Sequence, residues 1–176
     1  MTGRLLVLLL LFAAVIAGGG LYYLQVYGYY HTVPSVPGQD VQLVTLENGT
    51  TVAIPYENFQ AIDAESSPIR YRACFTTSLS LEQLSETYVS VAKAEPRNAP
   101  AWFECFDSAA IVQALETGEA RAFLGAKNIH YGTDRIVAIT SDGRGYVWHD
   151  LNDCGDKAYD GTVTGEECPP RPGEQY

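Results

Sequence analysis

The residues able to do chemistry in this chain are three histidines, four cysteines and a scatter of carboxylates, and few of them stand close together. His149-Asp150 with Asp153 and Cys154, joined by His130 from earlier in the chain, offers nitrogen, oxygen and sulfur donors to zinc or copper. Metal sites usually declare themselves by close pairs such as C-x-x-C or H-x-x-x-H, and neither spacing occurs here. His130, His149 and Asp150 are therefore weak metal or ligand candidates, and no cofactor is expected. Alternation along a strand puts His149 and Trp148 on opposite faces, so a hydrogen-bonded rim histidine accounts for His149 adequately.

The other reaction classes fare no better. A thiol oxidoreductase needs a low-pKa cysteine beside its resolving partner, and Cys154 and Cys168 are too far apart for that device. There is no G-x-S-x-G elbow, and Ser108 ahead of an apolar run reads more simply as a helix cap. Gly143-Arg144-Gly145 lacks the length and the lysine of a phosphate loop. Glu104, Asp107, Glu116 and Glu119 act as a carboxylate pair only if the fold joins two of them.

The elements that must carry these residues begin with the N-terminus. Leu5 to Tyr30 contains no charged residue and is long enough to cross a hydrocarbon core about 30 Å thick. Five tyrosines among its last nine positions form an interfacial aromatic belt. The same stretch also fits a cleaved secretory signal, with Arg4 as the basic start and Ala17-Gly18-Gly19 as the small-residue site. Hydrophobicity resumes directly after the glycines, which favours a retained signal anchor over residues 5–30. Arg4 precedes the span and the next basic residue is Arg70, so residues 1–4 are expected in the cytoplasm and the remainder outside it.

The chain carries 11 basic and 21 acidic residues, and all but one of the basic residues follow the anchor. That sign repels phosphate backbones and rules out nucleic acid as a partner. With Cys74, Cys105, Cys154 and Cys168 all in an oxidising compartment, two disulfides are expected. Four cysteines allow three pairings, and spacing alone does not choose among them. Context favours local bridges. Cys74 and Cys105 sit in similar apolar runs read as neighbouring strands, while Cys154 and Cys168 bracket a turn-rich tail.

Residues 31–40, with Pro34, Pro37 and Gly38, read as a stiff linker lifting the domain off the bilayer. Residues 41–150 alternate short β-branched runs with two helical patterns. Asn48-Gly49 and Asp142-Gly143 mark hairpin tips. Ser80 with Gln83 has capping-box spacing, and Asp107 or Ser108 opens a second helix that Gly118 stops. Phe59 to Ile62 suits a brief strand or a helical turn, Trp102 to Phe106 reads as a dense aromatic strand, and Ala120 to Ala126 is ambiguous. Residues 151–176 form an irregular, disulfide-tied tail. The fold class is α+β: a transmembrane helix, then one small domain with an antiparallel sheet and two short helices.

Aromatic density exceeds what two short helices must cover, so Trp102, Phe103 and Trp148 are candidates for an interaction surface, beside the simpler reading of an aromatic sheet core. Together, Gly20-Leu21-Tyr22-Tyr23-Leu24-Gln25-Val26-Tyr27, Ser67-Pro68-Ile69-Arg70-Tyr71-Arg72-Ala73-Cys74-Phe75, Trp102-Phe103-Glu104-Cys105-Phe106-Asp107 and Gly118-Glu119-Ala120-Arg121-Ala122-Phe123-Leu124 resemble a family of short, uncharacterised, single-anchor envelope proteins of alphaproteobacteria. The resemblance spans essentially the whole chain. It implies a bacterial inner membrane and a periplasmic domain, and it brings no catalytic residue. The expected role is a non-enzymatic accessory domain held on the bilayer through residues 5–30, meeting a membrane complex or periplasmic protein. The alternatives are a periplasmic small-molecule or metal-ion binding module, and a membrane-tethered hydrolase or thiol enzyme.

Overall fold

A computed structural model describes residues 3–170. The apolar start forms helix α1, Gly3–Tyr23, which runs unbroken through Gly18 to Gly20 and widens into a π turn over Leu24–Gly28. At 1.5 Å per residue α1 alone is about 31 Å long, matched to the hydrocarbon thickness. None of its residues is buried, and Leu10 and Val15 are 70% and 72% exposed. A leucine-rich helix with no protein partner for its surface fits a single-pass membrane anchor. It spans residues 3–28, slightly earlier than the uncharged run suggests.

Tyr29 and Tyr30 lead at once into β1 (His31–Thr32), which pairs with β4 (Glu57–Asp63). Residues 31–40, expected as a stiff linker lifting the domain off the bilayer, are instead docked on the domain. Val33 donates to the Ala61 carbonyl, and Asp40 is buried, accepting from Ser35, Val36 and Tyr56. β2 (Gln42–Val44) and β3 (Thr51–Ala53) form the hairpin foreseen at Asn48-Gly49, where Gly49 adopts φ +67°. After β4 come β5 (Arg72–Thr76), α2 (Leu81–Thr87), α3 (Ser108–Thr117), β6 (Ala120–His130), β7 (Thr133–Thr140) and β8 (Arg144–Leu151).

The main sheet is antiparallel with the order β1-β4-β5-β8-β7-β6. Its strands send alternate side chains to two cores, as a pleated backbone requires. Ala73, Phe75, Val137, Ile139 and Val147 join Val41, Leu43 and Leu84, so the small hairpin and α2 cover one face. Cys74, Ile136, Ala138, Tyr146 and Trp148 join Phe103, Phe106 and Ile111, so the 96–107 segment and α3 cover the other. Burial on both faces explains the nearly continuous apolar runs in β7 and β8. The close β5–β8 approach needs Gly145, because a Cβ there would lie 2.1 Å from the Phe75 ring.

Both helices start as their sequences require. Ser80 and Gln83 exchange side-chain and backbone hydrogen bonds in a capping box, and Asp107 accepts from the backbone N–H groups of Ala109 and Ala110. Gly118 closes α3 in the left-handed conformation. The bridges are Cys74–Cys105 and Cys154–Cys168. Residues 102–106, expected as a strand, form a pair of turns laid across the sheet. Phe103 and Phe106 are buried in the core, and their backbone N–H groups close the turns by donating to the Pro100 and Phe103 carbonyls. The tail folds on itself through a Lys157–Val163 bridge, and residues 171–176 lie outside the described residues.

Candidate functional site

The most elaborated polar arrangement lies where the anchor meets the domain. A helix leaves its last carbonyls without intrahelical donors. In the π turn the Tyr29 N–H returns to the Leu24 carbonyl. The next two carbonyls are taken by the domain: Gln25 O accepts from Arg70 Nη1 at 3.2 Å, and Val26 O accepts from the Trp102 indole Nε1 at 2.7 Å. Arg70 Nη2 also donates to the Gln25 side-chain oxygen. A cation at a helix C-terminus is favoured by the helix dipole, so Arg70 suits the place it occupies. Rings complete the joint. Trp102 stacks on Tyr27 with centroids 6.4 Å apart and meets Tyr30 edge-on at 5.9 Å, and the Arg70 guanidinium lies over the Tyr30 ring.

Trp102 reaches the anchor because its loop is pinned at both ends. Arg72 and Cys74 are two apart on β5 and share the sheet face that this loop covers. Arg72 is 3% exposed and donates from Nε to Arg97 O and from Nη2 to Asn98 O, fixing where the loop begins. Its Nη1 donates to the carbonyls of Ile69 and Tyr71, and the guanidinium lies over the Phe106 ring. Burial lowers the Arg72 pKa to about 10, which leaves it charged at neutral pH. The Cys74–Cys105 bridge fixes the other end. Two residues of one strand therefore set the height of Trp102.

Of the three aromatic interaction candidates, only Trp102 reaches the surface, at 39% exposure. Phe103 is buried at 8%, and Trp148, at 0%, is the largest wholly buried side chain, against Phe106. Both are core residues, and the aromatic surplus is accounted for mainly by two cores rather than one.

The histidine candidates separate as well. His149 is not a rim residue: it is 3% exposed and stacks on Tyr71 with centroids 4.6 Å apart. Its Nε2 accepts from Arg135 Nε at 3.2 Å, which leaves Nδ1 as the donor to the Pro68 carbonyl at 2.9 Å. Both ring nitrogens are engaged. Burial, reinforced by the Arg135 charge, pushes the His149 pKa down to about 3. His130 is exposed, with its ring 6.3 Å from that of His149, and Asp150 is held by Arg97 at 2.6 Å. No group of three or more histidine, cysteine or carboxylate side chains is placed to hold a metal among the described residues.

The signal for the junction was present in the sequence as Arg70, the first basic residue after the anchor, and as Trp102. Nothing local marked them as partners of Gln25 and Val26, which lie 45 and 76 residues away.

A family model described as a family of unknown function, DUF6446, matches residues 41–169. The chain belongs to that family. The DUF6446 match covers the domain from β2 to just past Cys168, so Arg70, Arg72, Trp102 and all four cysteines are inside it, while the anchor residues that Arg70 and Trp102 touch are outside. No curated protein and no solved structure matches the chain.

Proposed function

We propose that this protein is a single-pass inner-membrane protein of an alphaproteobacterium, with its N-terminus in the cytoplasm and a periplasmic domain that acts without catalysis as an accessory to a membrane complex or periplasmic partner. The observation that carries the reading is the capping of the anchor's Gln25 and Val26 carbonyls by Arg70 and Trp102. A domain bonded to its own anchor is held at the bilayer surface, as a fixed interaction platform requires. Two disulfides with no free cysteine among the described residues suit an oxidising compartment. Arg4 in the first turn of the helix, with no further lysine or arginine until Arg70, supports the orientation.

The test uses the full chain with Tyr159→Cys, a fully exposed tail position. A membrane-impermeant maleimide is expected to label it in cells whose outer membrane alone is permeabilised. Labelling only after the inner membrane is broken would overturn the orientation. In vivo photocrosslinking from exposed domain positions is expected to trap a recurrent protein partner, and turnover of a small molecule by the purified chain would refute the accessory role.

A further inference from the structure

Beside the capped anchor lies a cleft of about 420 Å³ whose lining includes Gln25, Tyr30, Arg70, Arg72, Arg97 and Asn98. Its charge runs against the rest of the molecule. After Arg4 the chain carries 10 basic against 21 acidic residues, yet three of those basic residues line this one opening. Among the described residues only one carboxylate, Asp150 on Arg97, is within ion-pair distance of any of the three guanidiniums. Donors are also left over. Arg97 uses Nε and Nη2 on Asp150 and keeps Nη1 uncommitted, and Arg70 uses Nη1 and Nη2 on Gln25 and keeps Nε. Arg72, buried behind them and bonded only to carbonyls, adds a fixed positive charge on which Asp150 and Asp63 act only from beyond ion-pair distance.

A planar guanidinium fork matches the oxygen geometry of a phosphate group, and several forks around one opening with excess positive charge favour a phosphate-bearing anion over a carboxylate-bearing one. The location narrows the source. Gln25 and Val26, at the end of the membrane-length helix, line the same cleft, so it opens at the depth of lipid headgroups. We infer that the cleft formed by Gln25, Tyr30, Arg70, Arg72 and Arg97 binds the phosphate of a phospholipid headgroup beside the anchor. This rests on the reading of residues 3–28 as a membrane anchor, and it gives the docked domain a second hold on the bilayer besides the helix. Tyr30 and Trp102 flank the site with rings suited to the glycerol region of the interface.

The test is native mass spectrometry of the full chain released from detergent micelles, with dioctanoyl phosphatidylglycerol, dioctanoylglycerol or inorganic phosphate added in turn. Phosphatidylglycerol is expected to give a one-to-one adduct and dioctanoylglycerol, which lacks the phosphate, none. Arg70→Gln with Arg97→Gln is expected to weaken the adduct at least about tenfold for each charge-assisted hydrogen bond removed, while Arg70→Lys with Arg97→Lys, which keeps the charge, is expected to restore part of it. Circular dichroism of each variant confirms that it is folded. Inorganic phosphate binding as tightly as the lipid would overturn the lipid source and assign the cleft to a soluble phosphate. Equal binding of dioctanoylglycerol, or an adduct unaffected by the glutamine pair, would overturn the site itself. Retention of the full chain in carbonate-washed membranes tests the anchor separately, so failure of the anchor is distinguished from failure of the cleft.

Discussion

Acidification is expected to destabilise this domain through one side chain. His149 is held neutral by its surroundings: a proton on Nε2 would face the Arg135 N–H 3.2 Å away, inside a core where the ring is 3% exposed. Its pKa falls to about 3 in the fold, against about 6.5 in the unfolded chain. The unfolded chain therefore gains a proton first as pH drops. Stability from this group is complete above about 6.5 and is lost progressively between that value and about 3. Each pH unit inside the window is worth about 1.4 kcal/mol, so moving from pH 7.5 to 5 should cost about 2 kcal/mol. For a domain of this size that lowers the midpoint by roughly 6 to 10 °C. Thermal unfolding of the full chain in detergent, followed by near-UV circular dichroism, measures it. His149→Gln is expected to be less stable at pH 7.5, because the ring that stacks on Tyr71 is gone, and to show a much flatter profile down to pH 5. Equal slopes for the two proteins, or imidazole resonances of His149 titrating near 6.5, would refute the reasoning.

Three further outcomes follow from the packing. Trp148→Ala should cost about 3 to 5 kcal/mol in chemical unfolding, whereas Trp148→Phe should cost far less, because a phenyl ring refills most of the cavity and both changes remove an indole N–H that is buried without a partner among the described residues; equal losses would contradict the tight packing around this ring. Cys74→Ser with Cys105→Ser should lose about 3 to 4 kcal/mol, from a bridge spanning 31 residues, and open the 96–107 loop to limited proteolysis; an unchanged cleavage pattern would show that Arg72 alone pins the loop. Trp102→Ala should alter domain stability by less than about 1 kcal/mol, since the ring is 39% exposed, yet broaden the distance distribution between spin labels at positions 21 and 159 in nanodiscs; an unbroadened distribution would mean that the indole bond to Val26 does not hold the domain.

Most of the architecture was legible because its cues are local. The Asn48-Gly49 and Asp142-Gly143 tips, the Ser80 capping box, the Asp107 cap and the Gly118 stop act within a few residues, and each appears where its chemistry demands. The Trp102–Phe106 segment misled because a loop lying on a sheet buries aromatics as densely as a strand does. The difference lies in what its backbone bonds to, and side-chain composition is blind to that. His149 misled for a related reason: alternation gave its face correctly but carried no information that this face was also covered. The spacer reading of 31–40 failed because proline and glycine signal a stiff path and say nothing about whether Asp40 finds buried donors at Ser35, Val36 and Tyr56. The anchor junction was the least legible part, being built from bonds across dozens of residues whose only local trace was a basic and an aromatic side chain.

Only Tyr29 and Tyr30 separate the π turn from the first paired strand. A stretch of two residues reaches at most about 7 Å even when fully extended. The domain therefore has no leash with which to search the surrounding volume, and breaking its bonds to the anchor would let it tilt but not travel. A partner of the proposed kind would have to come within one domain's breadth of the lipid, so a flexible insert in this connection is expected to weaken its recognition while leaving the fold untouched.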